Sequence, residues 1–211
     1  MSVRPSDTLA PPRLVIASRN AAKLREFSRL LRAHPRRLVS LDDAGYAGEV
    51  DEPGPGYAEN ALAKAVAVSG STGLAALGDD SGIEVDALRG WPGPESARWL
   101  GPGVTDAERT RALLDEVSRR SPGDRRCRYV CVLALARPDA EPVIAHGTCL
   151  GTLVEPRGHS GFGYDPAFLS ADLGVTFGEA TDAEKDRVSH RARALMRLAE
   201  SGLLDAEPPA A

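Results

Sequence analysis

The sequence predicts an α/β fold built on a mixed β-sheet that is flanked by helices. Strand and helix patterns alternate over the first half of the chain, as in parallel strands that are joined by helical crossovers. Two longer apolar strands then follow one another directly, which indicates an antiparallel hairpin. With 211 residues, 42% of them hydrophobic, the chain can bury the core of one domain, or of two lobes that share a sheet.

The chain begins with the pattern of a strand, a loop and a helix. Residues 14–18 form a short apolar run without helical spacing, and they lead into the polar turn at 19–22. Apolar residues then recur at helical spacing from 24 to 31, until Pro35 stops the pattern. In such a unit the backbone N–H groups and the positive end of the helix dipole face whatever the loop holds.

A second short strand and a long helix follow. The strand is predicted near residues 38–41, and a surface loop rich in Gly, Pro and acidic residues occupies 45–56. Residues 57–69 are Ala-rich and contain no helix breaker, so they predict a helix that Gly70 ends as a C-cap.

The next segment is predicted as two strands joined by an acidic turn. Residues 74–77 and 83–88 have strand patterns, and Gly78-Asp79-Asp80-Ser81-Gly82 lies between them. Two carboxylates and a hydroxyl between glycines are an unusual composition for a turn that only reverses the chain. This turn is therefore a candidate functional loop.

The second half of the chain is predicted as helix, hairpin and helix. The capping box Thr105-Asp106-Ala107-Glu108, worth ~1 kcal/mol, begins a helix that runs to about Arg119. Strands are predicted at 129–136 and 143–153, and a Gly-rich segment follows at 158–165. A second capping box, Thr181-Asp182-Ala183-Glu184, precedes the C-terminal helical stretch.

These elements are assigned to a single domain at residues 13–203. The segments 1–12 and 204–211 are predicted to be flexible tails, because the ends are rich in Pro and Ala and lack apolar periodicity. No apolar run approaches the ~20 residues that cross a bilayer, and no signal peptide pattern is present, so we expect a soluble cytoplasmic protein without membrane contact. The formal charge of −4 argues against a sequence-independent grip on nucleic acid.

The composition contains two further clues. Cys127, Cys131 and Cys149 lack the paired spacing of a zinc site or redox motif, so we expect buried thiols. Of 26 basic side chains only three are Lys, and there are only two Asn residues. All five fall in the segments discussed below: Lys23, Lys64, Lys185, Asn20 and Asn60. Lys and Arg are not interchangeable at a tight phosphate site, so the positions that keep Lys are candidate phosphate contacts.

The acidic turn at Asp79 and Asp80 is a candidate metal site. Adjacent residues in an extended segment point in opposite directions, so the two carboxylates should have different roles, and one of them can reach a metal. Asp51-Glu52 offers a possible second carboxylate. Mg²⁺ is a hard cation that usually binds through one or two carboxylates and substrate phosphates. The alternative interpretation is a solvated acidic turn in both places.

Two later segments are candidates for binding a flat ligand. Gly161-Phe162-Gly163-Tyr164-Asp165 places aromatic rings between glycines, where a ring can stack on a base for roughly 1–3 kcal/mol, although a packed loop is the alternative. Lys185, His190 and Arg191 lie close together in sequence. On one helix His190 and Arg191 would diverge by ~100°, so both can serve one ligand only if the helix restarts there, with Ser189 as N-cap.

Together these segments resemble the inosine/xanthosine triphosphate pyrophosphatase family, over residues 14–198. Six ordered motifs carry the resemblance: Ser18-Arg19-Asn20-Ala21-Ala22-Lys23; Glu59-Asn60-Ala61 with Lys64; Asp79-Asp80-Ser81-Gly82; Pro92-Gly93 with Ser96-Ala97-Arg98; residues 161–166; and Glu184-Lys185 with Ser189-His190-Arg191. The family implies an elongated α/β fold whose two lobes enclose a central nucleotide cleft, a homodimer, and Mg²⁺ dependence. It implies hydrolysis of dITP, ITP, XTP and dXTP to the nucleoside monophosphate and pyrophosphate, which removes deaminated purines from the nucleotide pool.

The resemblance also implies a role for each matching residue. Contacts to the triphosphate are implied for Ser18, Arg19, Asn20, Ala21, Ala22, Lys23 and Lys64, with Ser81 and Arg98 helping. Glu52 and Asp80 are implied metal ligands, and Asp80 is also the implied general base. The base-binding segment would be Phe162, Gly163, Tyr164 and Asp165, and the groups that read the purine edge would be Lys185, His190 and Arg191.

Two rival functions are weighed against this one. A Maf-like pyrophosphatase for modified pyrimidine nucleotides has a similar fold, but the cluster at 185–191 argues against it. A nucleotide-binding module without turnover is the other rival, and the intact carboxylates argue against that. A P-loop NTPase and a Rossmann oxidoreductase are disfavoured because neither G-x-x-x-x-G-K-[ST] nor G-x-G-x-x-G occurs in the chain.

Overall fold

The computed structural model describes residues 11–50, 52, 54–138, 140–202 and 204. Within these ranges the chain forms six strands: β1 Arg13–Ile16, β2 Arg37–Val39, β3 Ala75–Val85, β4 Arg126–Arg137, β5 Ala140–Leu153 and β6 Phe168–Ser170. The helices are α1 Ala21–Leu30, α2 Tyr57–Thr72, α3 Asp106–Arg120, α4 Asp182–Val188 and α5 His190–Glu200. Short 3₁₀ turns occur at Asp86–Leu88, Gly93–Glu95 and Asp165–Ala167.

The strands form one mixed sheet in the order β2-β1-β3-β4-β5-β6. β1 pairs in parallel with β2 and with β3, whereas the pairs β3–β4, β4–β5 and β5–β6 are antiparallel. Successive side chains of β1 point to opposite faces of the sheet, so each face is covered by different helices. Leu14 and Ile16 pack with α1 and α5 on one face. Val15, and Ala17 just after the strand, pack with α2 on the other. The predicted mixed sheet flanked by helices and the predicted β4–β5 hairpin are confirmed.

Two of the hydrophobic clusters lie at opposite ends of the long strand β3 and define two lobes of the fold. One core packs the later part of β3 and the start of β4 with α3 and β6 and includes Ile83, Val85, Leu113, Tyr129 and Phe168. The other packs β1, α1 and α5 against Leu77, Leu133 and Leu135. Between Leu77 and Ile83, β3 passes from one core to the other, so Asp79, Asp80 and Ser81 lie at the boundary between the lobes.

The predicted acidic turn at residues 78–82 is wrong, because β3 is one continuous strand through it. The two glycines serve close packing rather than chain reversal. A Cβ on Gly78 would clash with the carbonyl oxygen of Ala61 in α2, and a Cβ on Gly82 would clash with that of Gly93. The carboxylates are consequently buried in the sheet, with Asp79 1% and Asp80 2% exposed, and are not the exposed loop that the sequence predicted.

Gly78→Ala is expected to destabilise the protein by about 2 kcal/mol, because α2 must move away from β3 to admit the methyl group. Urea unfolding followed by circular dichroism measures this. The matched control is Gly70→Ala inside α2, where a Cβ meets no atom and should stabilise the helix by about 0.5–1 kcal/mol. Equal stability of Gly78→Ala and wild type would contradict the packing role of this glycine.

The caps of the helices agree with the predicted ones at the starts of α3 and α4 and differ at the end of α2. α2 continues through Gly70 to Thr72, and Gly73, in the left-handed conformation at φ 65°, is the C-cap in place of the predicted Gly70. Both predicted capping boxes are confirmed: Thr105 with Glu108 begins α3, and Thr181 with Glu184 begins α4. The three cysteines are buried free thiols, as predicted.

Some predictions fall partly outside the described residues. Asp51 and most of the two predicted tails lie there, so those predictions are not tested. Leu204, which the prediction placed in the C-terminal tail, is 1% exposed and packs with α1 and α5. No helix among the described residues is long and apolar enough to cross a membrane.

Candidate active site

A cleft lies at the boundary between the two lobes, where β3 passes from one core to the other. Its walls come from the start of α1, from β3, from the segment at 94–98, from the start of α3, from the loop at 162–165 and from the start of α5. The predicted site residues that line it are Asn20, Lys23, Glu52, Asp80, Ser81, Arg98, Phe162, Gly163, Tyr164, Asp165, His190 and Arg191.

The first turn of α1 presents Lys23 to the cleft. Asn20 is the N-cap, and its Oδ1 accepts hydrogen bonds from the backbone N–H groups of Ala22 (2.9 Å) and Lys23 (3.2 Å). The Ser18 hydroxyl accepts from the N–H of Asn20 at 3.1 Å. These N–H groups, which the sequence assigned to an anion, are therefore paired within the turn. The side chain of Lys23 is the cation that the turn offers.

The side chain of Arg19 lies away from the cleft. Its guanidinium donates to the Asp42 carboxylate at 2.8 Å and to the carbonyl oxygens of Tyr46 and Gly48. The side chain therefore braces the neighbouring loop and is absent from the cleft walls. Arg19 is exposed, and its guanidinium pairs with Asp42 on the protein surface.

Asp79 is the centre of a buried ionic cluster on the α1 and α5 side of the sheet. Its Oδ2 lies 2.5 Å from Lys23 Nζ, and its Oδ1 lies 3.4 Å from Arg191 Nε. The thiol of Cys131 donates to Oδ1 at 3.1 Å, and the Ser81 hydroxyl donates to Oδ2 at 3.3 Å. Burial alone would raise the pKa of Asp79, but the two cations outweigh it and hold the pKa far below its usual range. Asp79 is a permanent anion.

Asp80 points to the opposite side of the sheet, toward α2. Its Oδ2 accepts from Asn60 Nδ2 at 3.0 Å, and its Oδ1 lies 3.5 Å from Lys64 Nζ. Burial raises the pKa of Asp80 above its ordinary value, and Lys64 only partly offsets this. The two adjacent carboxylates therefore have different environments, as the extended backbone predicted, and only Asp80 lines the cleft.

Glu52 joins this group from the loop before α2. Its Oε1 lies 2.5 Å from Lys64 Nζ, and its Oε2 contacts Arg98. Lys64 also donates to the backbone carbonyl of Asp79 at 2.7 Å, so its ammonium is fixed between the two carboxylates of Glu52 and Asp80. Lys64 is 4% exposed, and its ammonium contacts the carboxylates of Glu52 and Asp80, which line the cleft.

The Gly-rich loop is held by hydrogen bonds from both sides. Asp165 Oδ2 accepts from the N–H of Phe162 at 2.8 Å, and Gly161 at φ 75° has no Cβ to obstruct that carboxylate. The N–H of Gly163 donates to Asp106 of α3 at 2.7 Å. The Tyr164 hydroxyl donates to the carbonyl of Ser96 at 2.7 Å, so this ring is anchored in the wall, and Phe162 is the ring that remains for stacking.

The chain restarts its helix where the sequence predicted. Ser189, at φ −64° and ψ 156°, separates α4 from α5, and its hydroxyl accepts from the N–H of Ala192 at 3.1 Å. His190 and Arg191 thus begin a new helix and both line the cleft. Gly147 of β5 makes room for this, since a Cβ there would clash with the carbonyl of His190.

The two buried residues differ in charge. Burial, with Arg191 beside it, lowers the pKa of His190 well below its ordinary value, so the imidazole is neutral. Its Nδ1 has no hydrogen-bond partner among the described residues. Arg191 donates to the Ser81 hydroxyl at 2.6 Å and lies 3.2 Å from Glu26 Oε2, and the flanking carboxylates keep it charged despite burial.

Lys185 stands apart from the cleft. Its Nζ lies 2.8 Å from Asp165 Oδ2 and 3.4 Å from Glu26 Oε2, and it lines a second cavity beside α1. Phe162 lines both cavities, and its ring centroid is 5.0 Å from Lys185 Nζ and 5.2 Å from Arg191 Cζ. The Phe162 ring therefore lies between Lys185 and the cleft.

Some residues of the site had no role assigned from the sequence. Asn60 belonged to a recognised motif, Asp106 was read only as a helix residue, and Glu26 and Tyr129 were not singled out. Glu26 is 1% exposed, and its Oε1 has no hydrogen-bond partner among the described residues. Its contacts with Lys185 and Arg191 arise from tertiary packing. The scarcity of Asn in the chain and the motif at 59–61 were the signals that pointed to Asn60.

Comparisons with known proteins show the family and agree with this fold. The chain matches the Ham1 family over residues 14–201. It is 47% identical over 191 residues to the dITP/XTP pyrophosphatase of Nitrosomonas europaea, a match that covers 89% of this chain and 93% of that protein. It is also 47% identical over 193 residues to the dITP/XTP pyrophosphatase of Symbiobacterium thermophilum, covering 91% and 95%.

Solved structures are similar over most of the chain. A HAM1 protein from Coxiella burnetii superimposes with a TM-score of 0.82 at 37% identity, covering 92% of this chain and all of that one. A nucleoside-triphosphatase/dITP/XTP pyrophosphatase from Mycobacterium abscessus superimposes with a TM-score of 0.70 at 43% identity, covering 88% and 98%.

Proposed function

The chain belongs to the Ham1 family, and we propose that it hydrolyses dITP, ITP, XTP and dXTP to the nucleoside monophosphate and pyrophosphate. This reaction removes deaminated purines from the nucleotide pool. The observation that carries the proposal is a single cleft that brings together a carboxylate pair, several cations and an aromatic loop. Those are the groups that a metal, a triphosphate and a base require.

Mg²⁺ is the proposed cofactor, with Glu52 and Asp80 as its ligands. Both carboxylates lie within 3.5 Å of the Lys64 ammonium, so they converge on one position that favours positive charge. Among the described residues there is no cluster of three or more His, Cys, Asp or Glu. Two carboxylates are enough for Mg²⁺, because substrate phosphates and waters complete its shell. When bound, Mg²⁺ would neutralise phosphate charge and lower the pKa of a nearby water.

The proposed chemical step is attack of water on the α-phosphorus. Asp80 takes the proton from that water, because it is the carboxylate of β3 that lines the cleft. The bond from the α-phosphorus to the bridging oxygen breaks, and pyrophosphate leaves with its charge balanced by lysines. The proposed triphosphate contacts are Ser18, Arg19, Asn20, Ala21, Ala22, Lys23, Lys64, Ser81 and Arg98.

Selection of the base is proposed to occur at the start of α5. Arg191 is a charged donor and His190 a neutral imidazole, and both line the cleft beside Phe162. A 6-oxo purine accepts a hydrogen bond where adenine presents an N–H₂ donor, so adenine would leave the donors unpaired at roughly 1–3 kcal/mol per contact. Lys185 is proposed to contribute to base selection as well, and it contacts Asp165, which lines the cleft.

A cytoplasmic homodimer is proposed for the assembly and location. The family resemblance supports the dimer, and large exposed apolar side chains such as Leu150 (59%) and Met196 (57%) are available to an interface. Sedimentation velocity tests the dimer.

A substrate panel tests the proposed reaction. Pyrophosphate release is measured from dITP, XTP, dGTP, ATP and a modified pyrimidine triphosphate, with Mg²⁺ and with EDTA. We expect fast release from dITP and XTP that EDTA abolishes, and release from ATP roughly 10–100-fold slower in kcat/KM. Preference for the pyrimidine would favour the Maf-like rival. Binding of ITP without turnover of any triphosphate would replace the enzyme with a binding module.

A further inference from the structure

Tyr129 of β4 makes a direct contact with the base-reading end of the cleft. Its ring stacks on the imidazole of His190, with centroids 4.6 Å apart and planes inclined by 13°. Tyr129 is 7% exposed and lines the cleft beside His190. A stacked aromatic pair of this geometry restricts rotation of both rings.

The imidazole lacks the hydrogen bond that would otherwise fix its orientation. His190 is 2% exposed, and its Nδ1 has no hydrogen-bond partner among the described residues. A buried histidine that works at a site is commonly oriented by a bond to its second nitrogen. Nδ1 of His190 has no such bond among the described residues, and the face of its ring is covered by Tyr129.

The other end of Tyr129 reaches the Gly-rich loop. Its hydroxyl lies beside the Asp165 carboxylate, which together with burial raises the pKa of Tyr129 well above its ordinary value. Asp165 in turn holds the N–H of Phe162 and the ammonium of Lys185. The Tyr129 side chain thus contacts the His190 imidazole through the face of its ring and the Gly-rich loop through its hydroxyl.

We propose that Tyr129 is a positioning residue that fixes the His190 imidazole and thereby sets the selectivity for 6-oxo purines. The proposal rests on the proposed function, since it assumes that His190 reads the base. Phe168 and Phe177 pack behind Tyr129, with centroids at 4.5 and 6.1 Å. They belong to the buried cluster around Tyr129, and the ring contact of His190 is with Tyr129.

The test compares three variants. Tyr129→Leu removes the stack, Tyr129→Phe keeps it, and Phe168→Leu is the matched control from the same buried cluster. We expect Tyr129→Leu to raise the KM for dITP about tenfold and to narrow the preference for dITP over dATP, with kcat changed by less than about threefold. Tyr129→Phe should keep the wild-type KM for dITP and the wild-type preference for dITP over dATP. Phe168→Leu should lower the Tm as much as Tyr129→Leu and leave KM and preference unchanged.

Two kinetic results would overturn the proposal. One is a Tyr129→Leu enzyme with wild-type KM and preference. The other is a shift of KM and preference in Phe168→Leu as large as in Tyr129→Leu, because that would mean general loosening of the core.

A second measurement separates this proposal from the proposed function. The imidazole resonances of His190, assigned with His190→Gln among the four histidines, report the ring current of a stacked tyrosine. We expect that shift to vanish in Tyr129→Leu and to persist in Tyr129→Phe. An unchanged resonance in Tyr129→Leu overturns the placement of Tyr129. If the wild type hydrolyses no triphosphate, the proposed function fails, while this spectrum still decides whether Tyr129 holds the ring.

Discussion

Asp80→Asn is expected to reduce Mg²⁺-dependent pyrophosphate release by about a thousandfold or more, while the protein remains folded. The amide keeps the shape of the carboxylate but can neither accept the proton of the attacking water nor provide a charged oxygen to the cation. Asp80 has few protein partners, since Asn60 and Lys64 are its contacts through side chains. The fold therefore loses little when this charge is removed. Steady-state release from dITP and the Tm of the same preparation measure the two effects.

The control for this prediction is Asp42→Asn, the same chemical change at an exposed ion pair with Arg19. It should retain wild-type turnover. Turnover of Asp80→Asn within about tenfold of wild type, at saturating Mg²⁺, would remove Asp80 from the roles of base and ligand.

The order of secondary structure could be predicted because it depends on local signals. The two capping boxes and the Ser189 restart are formed by side chains that bond within three residues, so they are legible in the sequence. The failure at residues 78–82 has a tertiary cause. Gly and Asp are typical turn residues, but here Gly78 and Gly82 are required by the close approach of Ala61 and Gly93. No local pattern shows that approach.

The sequence predicted which segments form the candidate site but not how each side chain is oriented. The motifs located the residues that line the cleft, including Lys23, Asp80 and Arg191. They did not distinguish side chains that face the cleft from those that face away, such as the side chain of Arg19. Glu26 and Tyr129 were missed because a Glu in a helix and a Tyr in a strand have ordinary local patterns. Their roles follow from burial and from partners that are more than 60 residues away in sequence, such as Lys185 and His190.

Asp79→Asn is expected to lower the stability of the protein, whereas Asp80→Asn is expected to lower its activity. It should lower the free energy of unfolding by about 3–5 kcal/mol, because the neutral amide removes the anion that Lys23 and Arg191 share and leaves Arg191 with Glu26 alone. For a chain of this length that loss corresponds to a fall in Tm of roughly 10 °C. Urea unfolding gives the free energy, and Asp42→Asn, with its side chain 83% exposed, should change it by less than about 1 kcal/mol.

A double variant keeps this prediction testable if Asp79→Asn does not fold. Lys23→Met in the Asp79→Asn background removes one of the two cations that lose the charge of Asp79. Removing both members of a buried ion pair destabilises a protein less than removing one member. The double variant is therefore expected to be more stable than Asp79→Asn alone. If Asp79→Asn is instead as stable as wild type and inactive, the buried anion serves the reaction rather than the fold, and the roles of the two adjacent carboxylates must be exchanged.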